Sequence, residues 1–546
     1  MWGFADLHAH PASHLGFGAD EAGNGGIFWG KPGSGLENAA STIASDLPSC
    51  DGDKHGDTGV DEVRRTTRQT IINLLNQLTG YSHGRSGWPS FRDWPHPLSV
   101  LHQQMHISWI HRAYQGGLRL MIASVTDSQT LTMLWKRGFD LFPALPQLDP
   151  DFEFESARRQ LRFIERLVQA NADWMEIVRT PGQAREAIHN NRLAIILSLE
   201  MDSLTVDQMV ALRERFGVKH VIPIHLVNNR FGGVAVYQDA FNTSNYYLNG
   251  EFYHVVGEPD LKFRLARPQF LTVGWDPILV VTPKEIGRDE YCSLGYECCP
   301  EQPVPGCVPA DQGHKNVRGL ARSELRRLME ERFLIDLAHM SDHSQAEALE
   351  LAEELNYPVM NSHTGLRRAG EPGESERDMR HSFAERIARL GGIVGLGTGA
   401  EIVISDPVSD WVTDYLQALE TMYGRGVAFG TDMNGFAPQV PFSARPVQYP
   451  INVAARFADS DDDQPPSLER HQSGTRTFDF TADGLAHYGL LPDFLQAISQ
   501  DERMDDQHLA ALFRTAEETI LMWERVEDEA GPPTELLGPV LHMMMS

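Results

Sequence analysis

Short apolar runs rich in β-branched and aliphatic residues recur along the chain, each bounded by polar or turn-forming positions. They cover residues 2–5, 118–125, 194–199, 220–224, 333–338, 358–362, 391–396 and 426–431. Runs this short, apolar at nearly every position, predict strands buried on both faces. Between most of them apolar residues return at helical spacing, as over 344–355, 383–390 and 412–423. Eight buried strands alternating with helices predict an α/β fold, a closed parallel (β/α)8 TIM barrel, with its active site at the C-terminal ends of the strands.

Those ends carry the candidate chemistry. The first run leads into Asp6-Leu7-His8-Ala9-His10, and two histidines two positions apart on an extended segment can reach one metal ion from the same face. Later runs end in Glu200, His225, His339, His363 and Asp432. Taken singly, each has an ordinary explanation as a core or loop histidine, or as a carboxylate capping the next helix. Six of eight strand ends bearing the residue types that divalent metals prefer point instead to a metal-dependent barrel hydrolase.

As an ordered set these motifs resemble the amidohydrolase superfamily, and within it the membrane (renal) dipeptidase-like metallopeptidases. The stretches concerned are DLHAHP at 6–11, LSLEMD at 197–202, PIHLVNNRFGG at 223–233, LIDLAHMSDHS at 334–344, PVMNSHTGLR at 358–367, RHSFAERIARLGGIVGL at 380–396, FGTDMNG at 429–435 and HYGLLPDFLQAI at 487–498. The resemblance implies that His8, His10 and Glu200 bind one divalent ion and that Glu200 bridges to a second held by His339 and His363. A hydroxide shared by the two ions would attack a peptide or amide bond. Some superfamily members bridge their metals with a carboxylated lysine after strand four. No lysine lies between Lys219 and Lys262, so a carboxylate must serve. Asp432 would act as general acid and base, and His225 would polarise the scissile carbonyl. Arg380 falls where a guanidinium would grip the substrate's terminal carboxylate, although Arg367, Arg368 and Arg377 crowd the same stretch. Asn228, Asn229 and Arg230 would line the pocket or shape the turn after His225.

Several features depart from that pattern. His10 stands where the mammalian dipeptidases have Asp, which makes the first site less anionic; zinc suits an imidazole-rich pair of sites, with manganese or iron as alternatives. The chain of 546 residues far exceeds a minimal barrel of about 250. We assign residues 1–440 to the barrel, with insertions at about 15–100 and 234–315 on the catalytic face, and 441–546 to a helical C-terminal extension. Long insertions there usually act as lids or walls, so a dipeptide substrate is not simply inherited. A non-peptide amide, lactam or ester is the alternative, and a non-catalytic metal-binding protein a third.

Cys292, Cys298, Cys299 and Cys307 cluster in the second insertion without paired C-x-x-C spacing. Disulfides are favoured there over structural zinc, and with them an oxidising compartment, while Cys50 is left over. A net charge of −28 argues against nucleic acid or anionic membrane as partners. No run is long enough to span a membrane, and the expectation is a soluble enzyme for a small-molecule or dipeptide substrate. Whether it is cytoplasmic, or secreted after loss of a leader, is left open, as is a homodimer.

Overall fold

The computed structural model describes residues 1–33, 42–50, 86–137, 148–265, 271–273, 276–278, 308, 311–368, 370–399, 404–458 and 465–528. Its centre is a ring of eight parallel strands: β1 (Phe4–Ala9), β2 (Leu118–Thr126), β3 (Leu193–Glu200), β4 (His220–Ile222), β5 (Leu334–Ile335), β6 (Asn361–Thr364), β7 (Val394–Leu396) and β8 (Val427–Phe429). Neighbours pair in sequence order and β8 pairs with β1. The join between β5 and β6 is a single parallel bridge, Asp336 to Met360, flanked by backbone hydrogen bonds from Leu337 N to Met360 O (2.8 Å) and from Met360 N to Ile335 O (3.0 Å). The ring therefore closes. All eight expected strands are present, and helices Asp342–Leu355, His381–Arg389 and Pro407–Thr421 occupy the three helical stretches read from the sequence. A short additional strand, Met175–Ile177, pairs with the first half of β3 and has no counterpart in the sequence reading.

The strand alternation divides the core. Ala5, Leu7, Leu120, Ile122, Ala194, Ile196, Met360, Ile393 and Ala428 form one buried cluster inside the ring. Met121, Ala123, Ile195 and Leu197, one position along, pack outward against the surrounding helices. The floor of the barrel is closed by the helix Thr515–Glu527, whose Ala516, Ile520 and Trp523 join the inner cluster. Thr515 Oγ1 accepts a hydrogen bond from Ala5 N (2.9 Å), tying that helix to β1. Burying apolar side chains at the floor leaves the opposite end as the place where polar groups can gather.

The second insertion is anchored to the barrel in its described part. The strands Val255–Glu258 and Gly313–Asn316 pair antiparallel. Fully buried Glu376 accepts hydrogen bonds from Val236 N (2.8 Å), Asn316 N (3.0 Å) and Asp342 N (3.0 Å), joining both ends of the insertion to the β5 and β6 loops. The four clustered cysteines lie outside the described residues, as does much of the first insertion; Cys50 is buried. Among the described residues, no helix is long and apolar enough to cross a membrane.

Candidate metal centre

The mouth of the barrel brings together the residues read from the strand ends. Between Asp6 and Ala9, three steps along β1 run against two along β2. This bulge resets the alternation: Ala5 and Leu7 face the inner core, and His8 and His10 then also turn toward the axis. Glu200, the last residue of β3, stands between two groups of imidazoles. Its Oε2 lies 3.4 Å from His8 Nε2 and 3.2 Å from His10 Nε2. Its Oε1 lies 3.2 Å from His339 Nε2, 3.7 Å from His363 Nε2 and 3.8 Å from His225 Nε2. Asp432, at the end of β8, completes the first group with Oδ1 3.1 Å from His10 Nε2 and 3.6 Å from His8 Nε2.

The donor chemistry of this cluster fits divalent metal ions. His8 Nε2 and His10 Nε2 are 2.9 Å apart, and His339 Nε2 and His363 Nε2 are 2.8 Å apart, so two pairs of nitrogen donors each converge on one carboxylate oxygen. The other ring nitrogens all meet protein oxygens. His8 Nδ1 faces Ser124 Oγ (3.3 Å), His10 Nδ1 the Ser124 carbonyl (3.2 Å), His339 Nδ1 the Tyr237 hydroxyl (3.0 Å) and His363 Nδ1 Ser362 Oγ (2.9 Å). Such partners fix the tautomer and leave each Nε2 lone pair directed inward, the usual outer shell of a metal site. His225 differs, since its buried Nδ1 has no hydrogen-bond partner among the described residues. Its backbone is held instead by Asp202, which accepts from His225 N and Leu226 N, both at 2.8 Å.

The two groups are electrostatically unlike. Burial opposes a charge on Glu200, but the surrounding imidazoles, His225 and His8 first, outweigh it and hold the carboxyl well below its ordinary range. Burial likewise opposes protonation of His10, yet hydrogen bonds to Asp432 and Glu200 raise it to about 10. Burial and then the nearby Arg377 push His339 well below the ordinary imidazole value. His363 is lowered as well, by burial, His8 and Arg377.

A cavity of about 290 Å³ opens beside His363 and Asp432, and Arg377, Asp378, Thr398 and Trp411 are among its lining residues. The residues expected to bind substrate lie in different settings around this cavity. Arg380 does not line the cavity; its guanidinium is taken up by Asp342 Oδ2 (2.8 Å) and Glu258 Oε2 (2.9 Å). Arg377, three residues earlier, lies over the Tyr237 ring (5.2 Å) and has no carboxylate within ion-pair distance among the described residues. Asn228 is a buried scaffold residue. Its Oδ1 accepts from Val234 N (3.0 Å) and Asn316 Nδ2 (2.7 Å), while Arg230 is exposed on the surface and lies outside the cavity lining. Ser124, Ser362 and Asp202 do not stand out as functional residues in the sequence, and Tyr237 stands out only as one of several aromatics in the second insertion. For Ser124 a signal existed, because a hydroxyl at an inward position of an otherwise aliphatic strand needs a polar partner.

No family profile and no curated protein matches the chain. Solved structures give a distant likeness. The dipeptidase AC, a metallo peptidase, is 13% identical with a TM-score of 0.43, covering 76% of this chain and 88% of that one. A Rhodobacter sphaeroides metallo peptidase liganded with a phosphinate mimic of the dipeptide L-Ala-D-Ala gives 13% and 0.43, covering 76% and 89%. An amidohydrolase from Pseudomonas aeruginosa gives 12% and 0.42, covering 77% and 92%.

Proposed function

We propose that the protein is a metal-dependent hydrolase with a two-ion centre that cleaves an amide or peptide bond in a small substrate bearing a carboxylate. The observation that carries this reading is Glu200, whose two oxygens each face a separate pair of imidazole nitrogens at 3.2–3.7 Å. His8, His10 and Asp432 would hold one ion, His339 and His363 the other, with Glu200 between them. Zinc suits the imidazole-rich set, with manganese or iron as alternatives. Such ions, when bound, lower the pKa of water and stabilise negative charge developing on the substrate.

The chain's own groups supply the rest. Asp432 stands at the border of the centre and the cavity, where its carboxylate can take a proton from the attacking water and return it to the leaving amine. His225 Nε2, 3.8 Å from Glu200 Oε1 beside the second group, can donate to the scissile oxygen as it gains charge. Arg377 lines the same cavity, and its planar fork suits a substrate carboxylate held in a charge-assisted pair. Tyr237 orients His339 through its hydroxyl and supports Arg377 through its ring.

A hydrolysis panel tests the reading. Metal-loaded enzyme would be offered L,L- and L,D-dipeptides, their C-terminal amides, N-acyl amino acids and simple esters. Free acids should be cleaved with the higher kcat/KM. Preference for amidated or esterified compounds would move the substrate to a neutral amide, lactam or ester, and no turnover of any member would remove the hydrolase assignment.

A further inference from the structure

Beneath the metal centre runs a chain of buried polar groups that the proposed reaction does not use. Ser124 on β2, Ser198 on β3 and His220 on β4 are register neighbours around the barrel. All three are buried. Starting from His8 Nδ1, Ser124 Oγ lies at 3.3 Å; Ser124 Oγ donates to Ser198 Oγ at 2.7 Å; and Ser198 Oγ meets His220 Nδ1 at 2.7 Å. His220 Nε2 then faces Asp336 Oδ2 at 3.2 Å, an ion-pair contact bent away from hydrogen-bond geometry, and neither atom has a hydrogen-bond partner among the described residues. Asp336 Oδ1 accepts from Ala338 N (2.9 Å) and Ser362 N (3.0 Å). Ser362 is the residue whose hydroxyl meets His363 Nδ1.

Only one assignment of protons satisfies every link if His8 offers its Nε2 lone pair to a metal. His8 Nδ1–H donates to Ser124, Ser124 to Ser198 and Ser198 to His220 Nδ1, which leaves the His220 proton on Nε2, facing the Asp336 carboxylate. Every hydroxyl is then both donor and acceptor, and the neutral imidazole of His220 has one of each. We propose that this one-way relay is a positioning device for the metal centre. Through it the Asp336 carboxylate fixes the tautomer of His8 from four strands away, while its other oxygen steadies the backbone beside His363. A metal-bound histidine commonly donates directly to a carboxylate, and here two serines and a second histidine carry the same polarity over the intervening strands. The cost of burying these groups in an otherwise aliphatic barrel gives the network a reason beyond packing. Ser124, Ser198, His220 and Asp336 are positioning residues, since they act through His8 and His363.

The inference rests on the metal-centre reading, so its test includes a measurement independent of metal. NMR of metal-free wild-type protein carrying isotope-labelled histidine should find His220 neutral with its proton on Nε2; a proton on Nδ1 would break the relay and overturn the proposal. Ser198→Ala removes one hydroxyl from the middle of the chain. Chelator competition should show the ion of the His8 and His10 group held about 10–100-fold less tightly, the scale of lost outer-shell support, with the other ion little changed. Ser198→Thr, which keeps the hydroxyl, should restore retention. Wild-type retention in Ser198→Ala would contradict the relay, as would equal weakening of both ions together with a fall in the melting temperature of the metal-free protein. If the alanine variant does not fold, the wild-type tautomer decides alone. Absence of any divalent ion in wild-type protein would instead remove the metal-centre reading, a distinct failure.

Discussion

The two halves of the site on either side of Glu200 present the same imidazole nitrogens in opposite electrostatic settings. Around His8 and His10 the neighbours are carboxylates, Glu200 Oε2 and Asp432, and they raise His10 to about 10. Around His339 and His363 burial comes first, with Arg377 beside it, and both imidazoles are lowered. A metal needs a neutral imidazole. On the proposed two-ion reading, the second half would bind with its imidazoles already neutral, whereas the first would release a proton from His10 as its ion enters. Both halves reach the cavity, the second through His363 with Arg377 nearby and the first through Asp432, the group proposed to transfer protons.

The strongest way to break this division is to remove the residue that joins its halves. Glu200→Gln should lower turnover by about 10³-fold or more, consistent with the several kcal/mol of charge stabilisation a metal pair supplies, and should reduce metal content in both halves. Asp432→Asn should cost about 10²–10⁴-fold in kcat, the range for a positioned acid and base. Because Asp432 Oδ1 is 3.1 Å from His10 Nε2, the same change should also loosen the first ion and spare the second, as chelator competition would read. Arg377→Ala should raise KM for free-acid substrates by about 10–100-fold, the worth of a charge-assisted pair, and leave their amides nearly unaffected. Arg380→Ala should leave that discrimination intact. It should instead lower stability by about 1–3 kcal/mol, since Arg367 still holds Asp342 after Arg380 is gone.

The smallest effect is the pH dependence of the metal-free protein's stability. His10 has a folded value above its ordinary 6.5, so its contribution is full below 6.5 and is lost as pH rises toward about 10. His339 and His363 have lowered values, so the unfolded chain takes up their protons first, and stability falls as pH drops below 6.5. His10→Ala should flatten the alkaline limb of denaturation midpoints against pH and leave the acid limb unchanged. Persistence of the alkaline limb would assign it to another group.

The sequence carried the barrel because strands buried on both faces must be apolar throughout, and a run of residues such as 194–199 has no other economical reading. It carried the cluster of strand-end residues for a related reason, since a parallel barrel points all its strand ends one way. What it could not carry depends on register and distance. The extra residue in β1 that aims His8 and His10 is visible only against β2. Tyr237 reaches His339 from 102 positions away, across an insertion. Arg377 and Arg380 differ by three positions and look alike in the chain, yet Asp342 and Glu258 claim one and leave the other beside the cavity. Asn228 reads from the chain as either a pocket or a turn residue, and the bond of its side chain to Asn316, far along the chain, is visible only in the fold.

The most direct test of the divided centre is a titration of metal-free protein with zinc in weakly buffered solution near neutral pH, following bound metal and released protons together. The account predicts two ions per chain, with proton release accompanying occupation of the His8 and His10 half and suppressed in His10→Ala. A single ion per chain, with the same count in Glu200→Gln, would contradict it.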